Sequence, residues 1–265
     1  MSAPIVNEQI KILVDGDQAF GAMGAYLARP AATGIYPGVI VAHELFGVTA
    51  EIRAITDELA ELGYIAVAPE FYHRTTALGT ELTKDEDGRA AGFRLMGQLT
   101  RDQVINDVRA TMRYLSSRSD ATGRTAMVGF SLGGHIAYLA ATQLALAATA
   151  VLYGGWIPTG DIPLSQPEPT ITLTPGIAEH DGRLLFLVGE QDQLIGPDQC
   201  RQLKDALTAA GVRHELVVYP DTPHAFFWPG NDTYRRSARD DAWRRVQKLL
   251  AGELAPHQPE SHPHR

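Results

Sequence analysis

The sequence is short of cysteine: Cys200 stands alone among 265 residues. A lone thiol excludes an intrachain disulfide framework and fits a reducing compartment. Positive charge is scarce as well, with 23 Lys and Arg against 31 Asp and Glu, a formal net charge of −8. That balance argues against a nucleic-acid partner, which requires a clustered basic face. Long apolar runs are missing too. The longest helix-like one, Ile136 to Leu152, is broken by Gln143 and by threonines, so no membrane span is expected. The opening residues, MSAPIVNEQIKILVDGD, show no basic segment followed by an apolar one, and no secretory signal is read there. The expectation is a cytoplasmic protein, a monomer or small homo-oligomer, without nucleic-acid or membrane partners. What is present is ordinary, 45% hydrophobic and 20% charged residues, enough for a sizeable core.

The pattern along the chain alternates strand-like and helix-like segments. IKILVDG and GAMGAYLARP read as an antiparallel opening pair turned at Asp15-Gly16-Asp17. PGVIVAHELFG, YIAVAPE, RTAMVGF, AATAVLYGG, RLLFLVGE and HELVVYP read as further strands, several of them continuously apolar. Between them, TAEIRAITDELAELG carries Ile52, Ile55, Leu59 and Leu62 at helical spacing and closes on Gly63. RDQVINDVRATMRYLSSR carries Val104, Val108, Met112 and Leu115 on one stripe. Leu132 to Leu146, Pro197 to Gly211 and 232–254 read as helices, whereas Phe71 to about Thr100 reads as a polar connection with little periodicity. This alternation predicts an α/β fold with a mostly parallel sheet flanked by helices on both faces. One domain over residues 1–254 is expected, followed by a disordered tail at 255–265. His257, His262 and His264 fall in that tail, where solvation is the default reading; no metal or cofactor is expected.

One stretch asks for chemistry. MVGFSLGGHIAYLAA places Ser131 in a Gly-x-Ser-x-Gly pattern between a strand and a helix. The plain alternative is a helix cap in a glycine-rich turn. The functional reading is a hydroxyl presented on a turn so sharp that neighbouring side chains would meet backbone. The helix start also supplies the free N–H of Leu132. A serine needs a base to take its proton. Of nine histidines, His224 lies just after the last strand, in VVYPDTPHAFFW; otherwise it is a loop residue packed on Phe226 and Phe227. A third group must hold the imidazole, and LLFLVGEQDQL offers Asp192, with Glu190 as nearest competitor. Asp198 and Asp181 are less suitably placed, one in a helix start and one ahead of the strand. The order Ser131, Asp192, His224 is that of an α/β-hydrolase. A second oxyanion donor is sought after the strand GVIVAH, at the N–H of Leu45 beside Glu44.

With those residues in hand, the segment VIVAHELFGVTAEIRAITDELAELGYIAVAPEFYHR, together with GFSLGG, GEQDQLI and HAFF, resembles the dienelactone hydrolase (carboxymethylenebutenolidase) family of α/β-hydrolases. The likeness runs in order from about Gly38 to Trp228. It implies Ser131 at the nucleophile position, where the founding enzymes carry cysteine, with Asp192 and His224 as acid and base. It implies Glu44 as the acidic residue near the nucleophile and Arg74 as one of two arginines that hold a substrate carboxylate. The second arginine would fall near Trp228 and is absent. Arg74 is then left to a substrate carboxylate, to Glu44 or to a structural ion pair. Trp228 beside Phe226 and Phe227 suits a less charged substrate. The expected activity is hydrolysis of a small ester or lactone through an acyl-enzyme. The alternatives are a true dienelactone hydrolase acting on an anionic lactone and a non-catalytic binding protein on the same fold.

Overall fold

Eight strands form one sheet in the order β1-β2-β4-β3-β5-β6-β7-β8 in the computed structural model, which describes residues 3–15 and 21–255. The strands are β1 (Ile5–Ile12), β2 (Met23–Pro30), β3 (Tyr36–Ala42), β4 (Ile65–Pro69), β5 (Ala121–Phe130), β6 (Ala148–Leu152), β7 (Arg183–Gln191) and β8 (Arg213–Pro223). β1 pairs antiparallel with β2, and β2 antiparallel with β4. From β4 through β3 to β8 every pairing is parallel. β4 and β6 are buried along their whole length, which is why each reads as an uninterrupted apolar run. Most of the expected opening turn, Gly16 and Asp17, lies outside the described residues, as does 256–265 of the expected tail.

The helices are α1 (Ala50–Glu61), α2 (Glu86–Met96), α3 (Arg101–Ser116), α4 (Leu132–Ala141), α5 (Pro175–Glu179), α6 (Pro197–Ala209) and α7 (Arg236–Leu254). α1 follows β3 and leads to β4 on one side, whereas α4 follows β5 and leads to β6 on the other. Right-handed crossovers in opposite directions put these two helices on opposite faces. α7 shares the α1 face, where the Trp243 indole N–H donates to Glu58 at 2.7 Å. α3 packs beside α4 on the same face of the sheet. α3 starts in a capping box made by Thr100 and Gln103 and buries Val104, Val108 and Leu115. No helix among the described residues is long and apolar enough to cross a membrane.

The polar connection expected from Phe71 to about Thr100 contains the helix α2. Asp85 caps it, accepting the Gly88 N–H, and its buried stripe is Gly88, Gly92 and Met96. A helix that packs by glycines leaves no apolar periodicity to read. α4 also ends earlier than expected, at Ala141, where the Thr142 hydroxyl turns back to the Leu139 carbonyl.

The chain reverses direction across the sheet between β3 and β5, so the loops leaving their carboxyl ends diverge and open a crevice. The residues after β3 and β5 are those singled out above: Glu44 and Leu45 on one loop, Ser131 on the other.

Candidate active site

Ser131 sits at φ 53°, ψ −113°, a backbone conformation that L-residues rarely adopt. The turn is held from both sides: the Ser131 N–H donates to the Leu152 carbonyl on β6, and its carbonyl accepts the His135 N–H inside α4. The neighbouring glycines answer to close backbone approach. A Cβ on Gly129 would stand 2.0 Å from the Gly133 carbonyl oxygen. A Cβ on Gly133 would stand 2.2 Å from the carbonyl oxygen of Ala42 and 2.6 Å from that of His43. The serine turn and the end of β3 therefore touch through bare backbone. Tyr153, Trp156, Asp221 and Ala225 also have positive φ, and Tyr153, Trp156 and Ala225 lie in the loops that leave β6 and β8 at this end of the sheet.

Ser131 Oγ lies 2.9 Å from His224 Nε2, and His224 Nδ1 lies 2.8 Å from Asp192 Oδ2. A carboxylate only accepts, so the second contact puts the proton on Nδ1 and turns the Nε2 lone pair toward the hydroxyl. The other oxygen of Asp192 accepts the N–H groups of Leu194 at 2.9 Å and Ile195 at 3.2 Å. Its side chain is fully buried, and that of His224 is 21% exposed. Glu190 is engaged elsewhere, accepting the Asp221 N–H. Three residues from three strand ends thus converge, as their positions in the sequence suggest.

Glu44 is nearly buried beside them. Burial pushes its carboxyl pKa up, opposed in turn by Trp228, Lys84, His224 and Tyr153. The Tyr153 hydroxyl donates to Glu44 Oε1 at 3.3 Å, and its ring meets His224 edge-on at 5.1 Å. The phenol is pushed well up, by burial first and then by the charge of Glu44. The buried Trp228 indole N–H lacks a hydrogen-bond partner among the described residues while lying close enough to favour the Glu44 anion. Tyr153 is a site neighbour that sequence reasoning missed; its signal was its place directly after β6.

The loop carrying Leu45 is fastened through its carbonyls. Glu44 O accepts from His43 Nδ1 at 2.6 Å, Leu45 O from the Tyr72 hydroxyl at 3.0 Å, and Phe46 O from the Leu82 N–H at 3.0 Å. Leu132 opens α4, so its N–H has no acceptor within the helix.

Arg74 makes a two-pronged pair with Asp107 of α3, at 2.8 and 2.6 Å, rather than with Glu44. Both side chains are buried. His73 Nε2 approaches the same carboxylate at 3.3 Å. The expectation that Phe226 lines the substrate site is corrected: it is fully buried, edge-on to Tyr153 and Tyr219, and so belongs to the core beneath the site. Trp228 packs against Phe130 and Phe227 at ring distances of 4.8 and 4.9 Å. An open cavity lined by Arg124, His180, Arg213 and Glu253 shares no residue with this cluster. Among the described residues no group of three or more His, Cys, Asp or Glu is arranged to hold a metal ion.

The dienelactone hydrolase family model matches residues 23–254. A Synechocystis sp. protein bearing the name "Putative carboxymethylenebutenolidase" is 36% identical over 233 residues, covering 88% of this chain and 92% of its own. A Klebsiella pneumoniae crystal structure titled "Putative Dienelactone Hydrolase" superposes with a TM-score of 0.82 at 30% identity, covering 94% and 99% of the two chains. A dienelactone hydrolase-like promiscuous phosphotriesterase from metagenomic libraries shares the fold, with a TM-score of 0.75 at 18% identity over 94% of this chain and 98% of that one. With a family match over most of its length, this chain belongs to the dienelactone hydrolase family and is a hydrolase of that family.

Proposed function

We propose that the chain is a serine hydrolase that cleaves a small carboxylic ester or lactone through an acyl-enzyme. The observation that carries this reading is the continuous contact Ser131 Oγ to His224 Nε2 to Asp192, at 2.9 and 2.8 Å. Ser131 Oγ attacks the carbonyl carbon while its proton passes to Nε2, and the imidazolium so formed is stabilised by Asp192. The carbonyl π pair moves onto oxygen, which the N–H groups of Leu45 and Leu132 receive. Collapse expels the alkoxide, which takes the proton from Nε2. Water then repeats the sequence on the acyl-serine, releasing the acid and restoring Ser131. Glu44 and Trp228 border this site, with Glu44 acting on charge rather than as nucleophile or base.

The test is covalent labelling with a fluorophosphonate alongside turnover of an activated short-chain ester. Modification at Ser131, a burst of leaving group, and loss of turnover in Ser131→Ala are expected. Labelling elsewhere, or turnover unchanged in Ser131→Ala, ends the reading.

The names borne by relatives favour a second reading, hydrolysis of an anionic dienelactone. Against it, Arg74 is already paired with Asp107, and Trp228 stands where a second arginine would complete a carboxylate clamp. A higher kcat/KM for a neutral ester than for a dienelactone is expected; the reverse ranking selects the second reading.

A further inference from the structure

His43 is fully buried at the end of β3, and both of its ring nitrogens are in use. Nδ1 lies 2.6 Å from the Glu44 carbonyl oxygen, which can only accept. Nε2 receives the Phe71 N–H at 3.3 Å, so it must be bare. Both contacts demand the same neutral tautomer, protonated at Nδ1. The ring also tilts against Phe71 and Tyr72, with centroids 5.4 and 5.1 Å away. It therefore bridges the loop after β3 and the segment after β4.

The carbonyl that His43 holds belongs to the same peptide unit as the Leu45 N–H. In a planar trans peptide the C=O and N–H point in opposite directions, so a bond that fixes the oxygen also aims the hydrogen. The Tyr72 hydroxyl secures the next carbonyl along. On the far side, the carbonyls of Ala42 and His43 abut Gly133, one residue from Leu132. The two segments that carry the candidate oxyanion N–H groups thus meet through backbone, and His43 makes the shorter of the two hydrogen bonds to the Glu44 carbonyl, at 2.6 Å against 3.5 Å from the Gly47 N–H.

We propose that His43 is a positioning residue for acyl transfer, holding the Glu44–Leu45 peptide so that the Leu45 N–H faces the developing oxyanion. The role rests on the acyl-enzyme reading and on Leu45 as a donor. With both nitrogens engaged and no exposure, His43 is not a proton shuttle. The alternative to be excluded is that it merely fills the core.

Two replacements divide its contacts. His43→Asn keeps an amide N–H near the Nδ1 position and so retains the bond to Glu44 O, while losing the acceptor for Phe71. His43→Gln reaches the Nε2 position with a carbonyl for Phe71 and leaves Glu44 O with only the long contact from the Gly47 N–H at 3.5 Å. Losing an oxyanion donor outright costs about 10²–10³ in rate, so misaiming one is expected to cost roughly ten- to hundredfold. His43→Gln should show that loss in kcat, with KM within about twofold, whereas His43→Asn should stay within about threefold of the parent. The ratio of turnover on an oxygen ester to that on its thionoester should shrink in His43→Gln, because sulfur accepts hydrogen bonds poorly and gains little from the donor. Equal losses in both variants, a loss confined to KM, or an unchanged ratio would each overturn the proposal. Ser131→Ala in the same assay keeps the two claims apart: if it still turns over, the acyl-enzyme reading has failed, not the placement of His43. Should neither His43 variant fold, nitrogen-15 NMR of the parent protein decides. A bare Nε2 and protonated Nδ1 at neutral pH are expected, and an Nε2–H tautomer would refute the idea.

Discussion

Two carboxylates act on His224 from different distances, and residue-level chemistry assigns them unequal weight. Asp192 touches the imidazole and fixes its tautomer, whereas Glu44 reaches it through charge alone. Asp192→Asn keeps an amide oxygen for the N–H groups of Leu194 and Ile195 but turns its NH₂ toward Nδ1, which favours the wrong tautomer. A fall in kcat of about 10⁴-fold with little change in melting temperature is expected. Glu44→Gln still accepts from Tyr153 and removes only a nearby negative charge, worth about 1 kcal/mol, so kcat should fall roughly fivefold. Steady-state kinetics on both variants checks the pair, and comparable losses would contradict the division of roles. At this scale the sequence was informative wherever a candidate group is a side chain at a strand end: Ser131, Asp192 and His224 all sit there, in hydrogen-bond contact. It was uninformative about His43, whose contacts are to backbone atoms of Glu44 and Phe71, and about Tyr153, whose partner Glu44 is more than a hundred residues away.

Among the elements, α2 is the one whose influence on the site exceeds its visibility. The apolar stripes of α1 and α3 made those helices legible, and the continuous runs of β4 and β6 did the same for the central strands. α2 has no such stripe because it approaches the protein through Gly92, where an added Cβ would meet Leu45 Cγ at 2.5 Å and the Leu45 carbonyl at 2.9 Å. Contact at a glycine is invisible to hydrophobic periodicity, so the pattern gave this helix no bounds. The same contact ties α2 to Leu45, the residue whose N–H is the candidate oxyanion donor. Gly92→Ala should gain about 1 kcal/mol in helix propensity while crowding Leu45, so the two effects on stability largely cancel. The activity has no such compensation. A melting temperature within a few degrees of the parent and a kcat lowered about tenfold are expected; a more stable variant with full activity would show that α2 does not bear on the loop. The Arg74–Asp107 pair was equally hard to foresee, since family likeness points Arg74 at a substrate and the partner carboxylate lies 33 residues further on, in α3.

At the scale of the whole molecule, the buried histidines around the site set how the fold responds to acid. Burial lowers the pKa of His43 to about 4, and burial, aided by nearby Arg101, lowers that of His135 to about 4. His135 is held neutral between the Gly155 carbonyl at 2.8 Å and the Thr170 hydroxyl at 2.9 Å, one turn into α4. In the unfolded chain both rings titrate near about 6.5. Between pH 6.5 and 4 the unfolded state therefore binds more protons than the native one, and stability must rise with pH through that window. The contribution is complete above about 6.5 and is lost as the pH falls to about 4, on the order of 3 kcal/mol for each ring. Glu44 works in the opposite sense, since a carboxyl whose pKa is raised on folding favours the native state as it protonates. It is one group against two, so the histidines set the sign of the net slope. Urea unfolding measured from pH 7 down to pH 4 should accordingly give a free energy that drops by about 2 kcal/mol per pH unit around pH 5. The histidine ring signals of the native protein should include two that do not titrate until about pH 4. A stability that stays level from pH 7 to 4.5 would mean that neither ring is held neutral by the fold. Because His43 grips the Leu45 loop and His135 anchors the helix behind Ser131, the first acid-induced opening is expected at the site itself, with activity lost at a higher pH than the bulk of the sheet.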